Sequence, residues 1–228
     1  WEDLVYWHKS KLNSNKFNFI EIIKNDNYIR DWLIRCDLDL FELFIPEIQK
    51  VIINDFEAAF MAVEHLIDQK CTEIAHFSGP QNLEIYKNRF KGYKLALEKH
   101  KIPFKEELVI SSSLMEKDAA KNVKKILALP FNVDGLFCAN DVVAIGAIKY
   151  LKEIGIKIPE EIAIVGFSNE TISSVIEPAL TTINQSGSKI GVAATNLLIH
   201  KISDNTIHKT IIVQTNLIER KSSLRTYK

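Results

Sequence analysis

Residues 134–169 read DGLFCANDVVAIGAIKYLKEIGIKIPEEIAIVGFSN, and the fold is decided there. "GLFCA" is a continuous apolar run, the pattern of a strand covered on both faces. Asn140-Asp141 follows it, and either residue suits the N-cap of the helix that "DVVAIGAIKYLKEI" spells out. Gly155 stands where a helix C-terminal glycine belongs. Pro159 and two glutamates then turn the chain into "IAIVGF", a second strand that ends in Ser168-Asn169. Strand, crossover helix and parallel strand connect right-handedly, which brings Asn140, Asp141, Ser168 and Asn169 to one edge of a parallel sheet. Small molecules bind at that edge in open α/β sheets. These residues therefore either cap and turn only, or also face a ligand.

The same alternation extends outward. "KVIIND" predicts a strand, and "FEAAFMAVEHLIDQK" a helix with Phe56, Phe60, Val63 and Ile67 at helical spacing. "TEIAHFSGP" is a strand stopped at Gly79-Pro80. A helix from about Leu83 to Lys99, a strand "EELVIS" and a helix "EKDAAKNVKKILAL" lead into the opening stretch. Beyond it lie the loop "IEPALTTINQ", the helix "SKIGVAATNLLIHKI" and one last strand, "KTIIVQTNLIER". This order predicts the α/β class with doubly wound parallel sheets. Residues 1–50 differ: all eight glycines lie between Gly79 and Gly191, so the front of the chain builds its turns without any. "KFNFIEIIKND" reads as one amphipathic helix, and "NYIRDWLIRCDLDLFELFIPEIQ" has no clean strand boundary.

With 228 residues and 46% hydrophobic content, the chain can bury a core without metals or disulfides. Its 29 basic and 29 acidic side chains cancel, so no net field draws these residues to DNA or to an anionic membrane. Cys36, Cys71 and Cys138 are widely spaced and form no CxxC pair, which argues against a disulfide framework or a zinc site and fits a reducing cytoplasm. "WEDLVYWHKS" does not read as a signal peptide, and no run approaches the roughly 20 apolar residues of a membrane span. There is no P-loop and no G-x-G-x-x-G, and "GFSNE" lacks the second glycine of a nucleophile elbow. His65, His76, His100, His200 and His208 share no spacing with a Ser, Cys or carboxylate that suggests catalysis. The expectation is a protein without catalytic residues, cofactor or metal.

"CANDVVAIGAIKYLKEIGIKIPEEIAIVGFSN", then "IEPALTTINQ" and "LIERKSS", resembles the effector-binding domain of LacI-type bacterial transcription regulators, whose fold is shared with periplasmic sugar-binding proteins. The resemblance extends upstream through "IAHFSGPQNLEIYKNRFKGYKLAL" and "INDFEAAFMAVEHLI", and covers about residues 46–224. It implies two Rossmann-like lobes joined by three crossovers: residues 1–70 with 186–204, an incomplete N-terminal lobe, and residues 71–185 with 205–228. An effector, sugar-like or a related metabolite, would lie between them. Arg89 in "NRFKGY" matches the family's effector-contacting arginine, and a planar guanidinium suits bidentate bonding to hydroxyls or a carboxylate. Asp55 would cap its helix or accept hydroxyl bonds, Phe56 would offer an apolar wall or join the core, and Gln185 would face the cleft at a crossover. Asn140 and Asp141 match the family's "ND", with Asp141 as ligand group and Asn140 as loop organiser. Ser168, followed by Asn169, departs from the usual aspartate after "GF", which removes a charged acceptor.

The front departs further. "FELFIPEIQ" stands where the family has an "FDR"-like pair, and neither the Gly-rich opening strand nor the helix-turn-helix is seen. Truncation, a frame disturbance in the coding sequence and true divergence stand open. The resemblance implies a cytoplasmic repressor, a homodimer that reads operator DNA through a domain absent from this chain. The helices "FEAAFMAVEHLI" and "NRFKGYKLALEKH" are the candidate dimer faces, or else lobe core. The alternative is an extracytoplasmic sugar-binding protein serving a transporter.

Overall fold

A computed structural model describes residues 50–203 and 210–225, all within the compact unit Glu47–Lys228. The expectations for residues 1–49, the amphipathic helix among them, lie outside the described residues.

β1 (Lys50–Ile53) and α1 (Asp55–Asp68) open the described chain, followed by β2 (Ile74–Ser78), α2 (Glu84–Lys99) and β3 (Val109–Ser111). Then come α3 (Glu116–Leu127), β4 (Gly135–Cys138), α4 (Asp141–Glu153), β5 (Ala163–Ser168) and β6 (Thr181–Asn184). α5 (Gly187–Ser203), β7 (Thr210–Val213) and β8 (Asn216–Ile218) complete the order. Six strands form one sheet in the order β3-β2-β4-β5-β6-β8, and β1 pairs with β7 in a second, two-stranded sheet. All pairs are parallel except β6 with β8. The α/β, largely parallel architecture read from the alternation is therefore present.

Period-2 alternation divides the core. Ala75, Phe77, Leu136, Cys138 and Ile164 point to the face covered by α3 and α4. Ile74, Phe137, Ala163, Val165 and Phe167 point to the face covered by α1 and α2. Each large side chain so buried contributes roughly 1.5–3 kcal/mol. The tightest helix contact is α1 on α2, where Gly92 has no room for a Cβ: the Phe56 carbonyl and the Phe60 amide occupy that space. Ala58, Ala59 and Ala62 on α1 are fully buried at the same seam. The buried small and apolar residues of α1 and α2 thus serve as core, one of the two roles expected for these helices, while Ile85 and Leu95 on α2 stay exposed.

Two local expectations are revised. "KTIIVQTNLIER" is not one strand: it breaks at Gln214-Thr215, and its halves pair in different sheets, β7 with β1 and β8 with β6. "EELVIS" contributes only Val109–Ser111 as strand, because Glu106–Leu108 closes a 3₁₀ turn. Gly155 follows α4 at φ +83, the left-handed conformation expected of it.

Candidate functional site

The strand order reverses between β2 and β4. From β2 the chain passes over one face through α2 to β3, whereas from β4 it passes over the other face through α4 to β5. At such a reversal the loops leaving neighbouring strands diverge at their carboxyl ends, which is where open α/β sheets bind ligands.

Arg89 occupies this switch point. Its position on the second turn of α2 carries the guanidinium back to the end of β4, where Nη1 donates to the Ala139 carbonyl at 2.5 Å. Nε donates to Asp55 Oδ1 at 2.8 Å, and Nη2 lies 2.7 Å from the same oxygen. Nη2 makes this ion contact without hydrogen-bond geometry, so a buried nitrogen keeps its donors unspent. The guanidinium carbon lies 3.6 Å from the Phe167 ring centre and 5.7 Å from that of Tyr86. Only 2% of Arg89 is exposed, where a solvated helix surface would be the ordinary place for an arginine. Burial raises the Asp55 pKa against the pull of Arg89, and burial lowers that of Arg89 against the pull of Asp55. Desolvation outweighs attraction on both partners, as in many buried ion pairs.

Asp55 is the first residue of α1 but not its cap. That role belongs to Asn54, whose Oδ1 accepts from the Glu57 amide at 3.2 Å. Phe56 stays half-buried, while Phe60 packs against the core. Asn140 caps α4 by accepting from the Val143 amide at 2.9 Å, and its Nδ2 donates to the Leu114 carbonyl at 3.1 Å. Asp141 is fully buried. Its Oδ1 accepts from the Thr182 hydroxyl at 2.6 Å, and its Oδ2 accepts from the Glu170 amide at 2.8 Å and the Ser173 hydroxyl at 2.7 Å. A Cβ on Gly166 would strike Oδ1, so β5 must carry glycine there for the carboxylate to lie against it. Three donors inside the fold thus engage the carboxylate expected to face a ligand.

Ser168 and Asn169 end β5 at φ +132 and +58. Ser168 Oγ accepts from Gln185 Nε2 at 3.0 Å, which brings the end of β5 and the segment after β6 together. Asn169 Oδ1 accepts from Arg220 Nη2 at 2.8 Å. The structure so assembles two groups on the sheet's carboxyl edge, Asp55 with Arg89 and Ser168 with Gln185, while Asp141 is spent on bonds within the fold. Tyr86, Phe167, Thr182 and Arg220 take part without having been singled out in the sequence. Tyr86 lies flat enough on Gly79 to exclude a Cβ there. The "E-R-K-S" of the terminal motif was the available signal for Arg220; Thr182 gave none beyond its place in "LTTIN".

Two further features carry no site. His65 Nε2 meets Ser223 Oγ at 2.7 Å, yet that hydroxyl is fully buried and donates onward to Thr181. The pair ties the terminal segment to α1. Among the described residues no cluster of three or more His, Cys, Asp or Glu could hold a metal ion. No described helix is long and apolar enough to cross a membrane.

Comparison with known proteins agrees with this geometry. Residues 63–223 match a family described as periplasmic binding protein-like domain. The HTH-type transcriptional repressor PurR of Histophilus somni is 33% identical over 170 residues, 74% of this chain and 51% of that protein. The chain spans about half the length of the curated relatives it matches. Among solved structures, a CelR–cellobiose complex superposes with TM-score 0.73 at 26% identity, covering 77% of this chain and 54% of that one. A periplasmic binding protein/LacI transcriptional regulator from Alkaliphilus metalliredigens QYMF, in complex with D-xylulofuranose, superposes with TM-score 0.70 at 28% identity, covering 78% and 67%.

Proposed function

Because the chain belongs to the periplasmic binding protein-like family, in the form carried by LacI-type transcriptional regulators, we propose that it senses a small effector at the carboxyl edge of its six-stranded sheet. The single observation that carries this reading is Arg89, a buried guanidinium at the topological switch point with donors left over. A group that burial has made costly gains most from a ligand that completes its hydrogen bonds. A sugar-like effector fits, since hydroxyls can accept from Arg89 and exchange bonds with Ser168 and Gln185. The sugar complexes among the similar structures favour that class.

The regulatory step is a shift between two arrangements of the lobes, biased by whichever the effector binds better. The lobe division read from the sequence is retained as part of the proposal, with two adjustments that the contacts favour. α1 goes with the six-stranded sheet, against which it packs, and β7 goes with β1. DNA contact through a helix-turn-helix, a cytoplasmic setting and the absence of enzyme activity are likewise proposed, on the strength of relatives named as repressors. Those names also favour a regulator over a transporter's solute-binding protein. For the homodimer we propose the surface of Val142, Ile172 and Val175, whose exposures are 43%, 50% and 70%; it flanks the bonds of Asp141 and is left free by α1 and α2.

A thermal-shift screen against sugars, sugar phosphates, sugar acids and purines tests the reading. A compound that raises the melting temperature of the wild type by mass action and not that of Arg89→Ala supports it. A shift of equal size in both proteins contradicts it.

A further inference from the structure

Ser168 and Asn169 are consecutive non-glycine residues at positive φ, a conformation that persists only where its surroundings hold it. Two grips hold it. The first is the Asp141 carboxylate: Thr182 donates to it and in turn accepts from the Asn169 amide at 3.3 Å, while the Glu170 amide donates to it directly. The second comes from the far end of the chain. The fork of Arg220 spans two elements, Nη2 donating to Asn169 Oδ1 at 2.8 Å and Nη1 to the Leu180 carbonyl at 2.7 Å.

The base of that fork is itself fixed. The Arg220 amide donates to Thr181 Oγ1 at 2.8 Å, and the Thr181 hydroxyl lies 2.8 Å from the Arg220 carbonyl as donor. Following a relaxed turn would cost the guanidinium its bond to the Leu180 carbonyl, so that bond and the fixed backbone together oppose the movement. What the turn presents is Ser168 Oγ, joined to Gln185. A displaced turn would move that hydroxyl and free the Gln185 amide together.

We propose that Arg220 is a positioning residue: it fixes the left-handed Ser168-Asn169 turn, and through it the Ser168–Gln185 pair that meets the effector. This rests on the effector reading above and adds a residue outside the Ser168–Gln185 pair itself. The planar guanidinium matters because two acceptors must be engaged at once, which an ammonium on a flexible stem cannot do with the same geometry. Asn169 suits its place because asparagine tolerates the left-handed region and supplies the acceptor.

The test uses the full 228-residue chain in Arg220→Met, Arg220→Lys and Asn169→Gly forms. Amide hydrogen exchange at Asn169 and Glu170, the Gln185 side-chain amide resonances, and binding of cellobiose, D-xylulose and guanine are compared with wild type. The expected result for Arg220→Met is exchange faster by about tenfold or more at the turn, unchanged exchange at Phe137 in β4, and about tenfold weaker binding of whichever probe the wild type binds. Arg220→Lys should fall between. Asn169→Gly, which removes the acceptor, tolerates the positive φ and leaves the bond to Leu180, should loosen the turn likewise and keeps the test available if Arg220→Met does not fold. Unchanged exchange at the turn, or exchange that rises equally throughout the sheet, overturns the proposal. So does a loosened turn with undiminished binding. If the wild type binds none of the three probes, the effector reading fails for those classes, while the exchange data still decide whether Arg220 holds the turn.

Discussion

The guanidinium carbon of Arg89 sits 3.6 Å from the centre of the Phe167 ring, so the cation at the switch point rests on an aromatic face contributed by β5. A desolvated contact of this kind contributes about 2 kcal/mol. Its charge is matched by Asp55 at the start of α1. One arginine thus joins α1, α2, β4 and β5.

Removing one partner of that ion pair should cost more than removing both. Arg89→Met leaves the Asp55 carboxylate buried without its counter-charge, and roughly 3 kcal/mol of stability should be lost. Arg89→Met combined with Asp55→Leu should recover a large part. Urea unfolding of the two single variants and the double variant measures the coupling, and simple additivity would show that the pair is energetically idle.

Acid should destabilise the fold through His76. Its imidazole is fully buried among Phe90, Tyr93 and Phe137, with Nδ1 on the Phe137 carbonyl and Nε2 without a partner. Burial first, and the Arg89 charge besides, hold its pKa down to about 4. The unfolded chain then binds the proton more readily, so the full contribution is present above about pH 6.5 and is lost as pH falls toward 4, of the order of 3 kcal/mol by linkage. His65, also depressed by burial, works in the same sense, and Asp55, raised by burial, in the opposite one. His76→Phe should flatten most of the slope between pH 6.5 and 4.5. A slope that survives would assign the sensitivity to His65.

Gly92→Ala should separate α1 from α2. The added Cβ meets backbone rather than a movable side chain, so the helices must shift, at a cost of roughly 1–3 kcal/mol. Denaturation midpoints measure this directly.

How much of this was legible follows from the chemistry of each residue. Strand and helix identity from residue 50 onward came through because continuous apolar runs and helical spacing are local properties, and the cap of α4 was readable to within Asn140 or Asp141 for the same reason. The break in "KTIIVQTNLIER" was not, since nothing in its β-branched composition tells which sheet each half will join. Arg89 was found by resemblance alone; composition gives an arginine on a helix no reason to be buried. Asp141 was placed on the correct edge, but its three internal donors come from Glu170, Ser173 and Thr182, and such tertiary bonds leave no trace in spacing.

Asn140→Ala should remove the cap of α4 and strand the Leu114 carbonyl, destabilising the protein by about 1–2 kcal/mol. Asn140→Asp, which keeps the cap but cannot donate to Leu114, should lie between. Equal losses in the two variants would show that the cap is unimportant.

Val175→Glu should shift a dimer toward monomer in size-exclusion chromatography with light scattering, without lowering the unfolding midpoint of the monomer. An unaltered dimer would place the interface elsewhere.

The most direct measurement is a ¹H–¹⁵N titration of the wild-type chain with the compounds that raise its melting temperature. The account predicts shifts concentrated at Gly79, Ala139, the Arg89 Nε–H, the 168–170 turn and the Gln185 side chain, and their loss in Arg89→Ala. Shifts centred instead on the depression lined by Lys94, Glu98, Ile102 and Phe104, with the switch point silent, would contradict it.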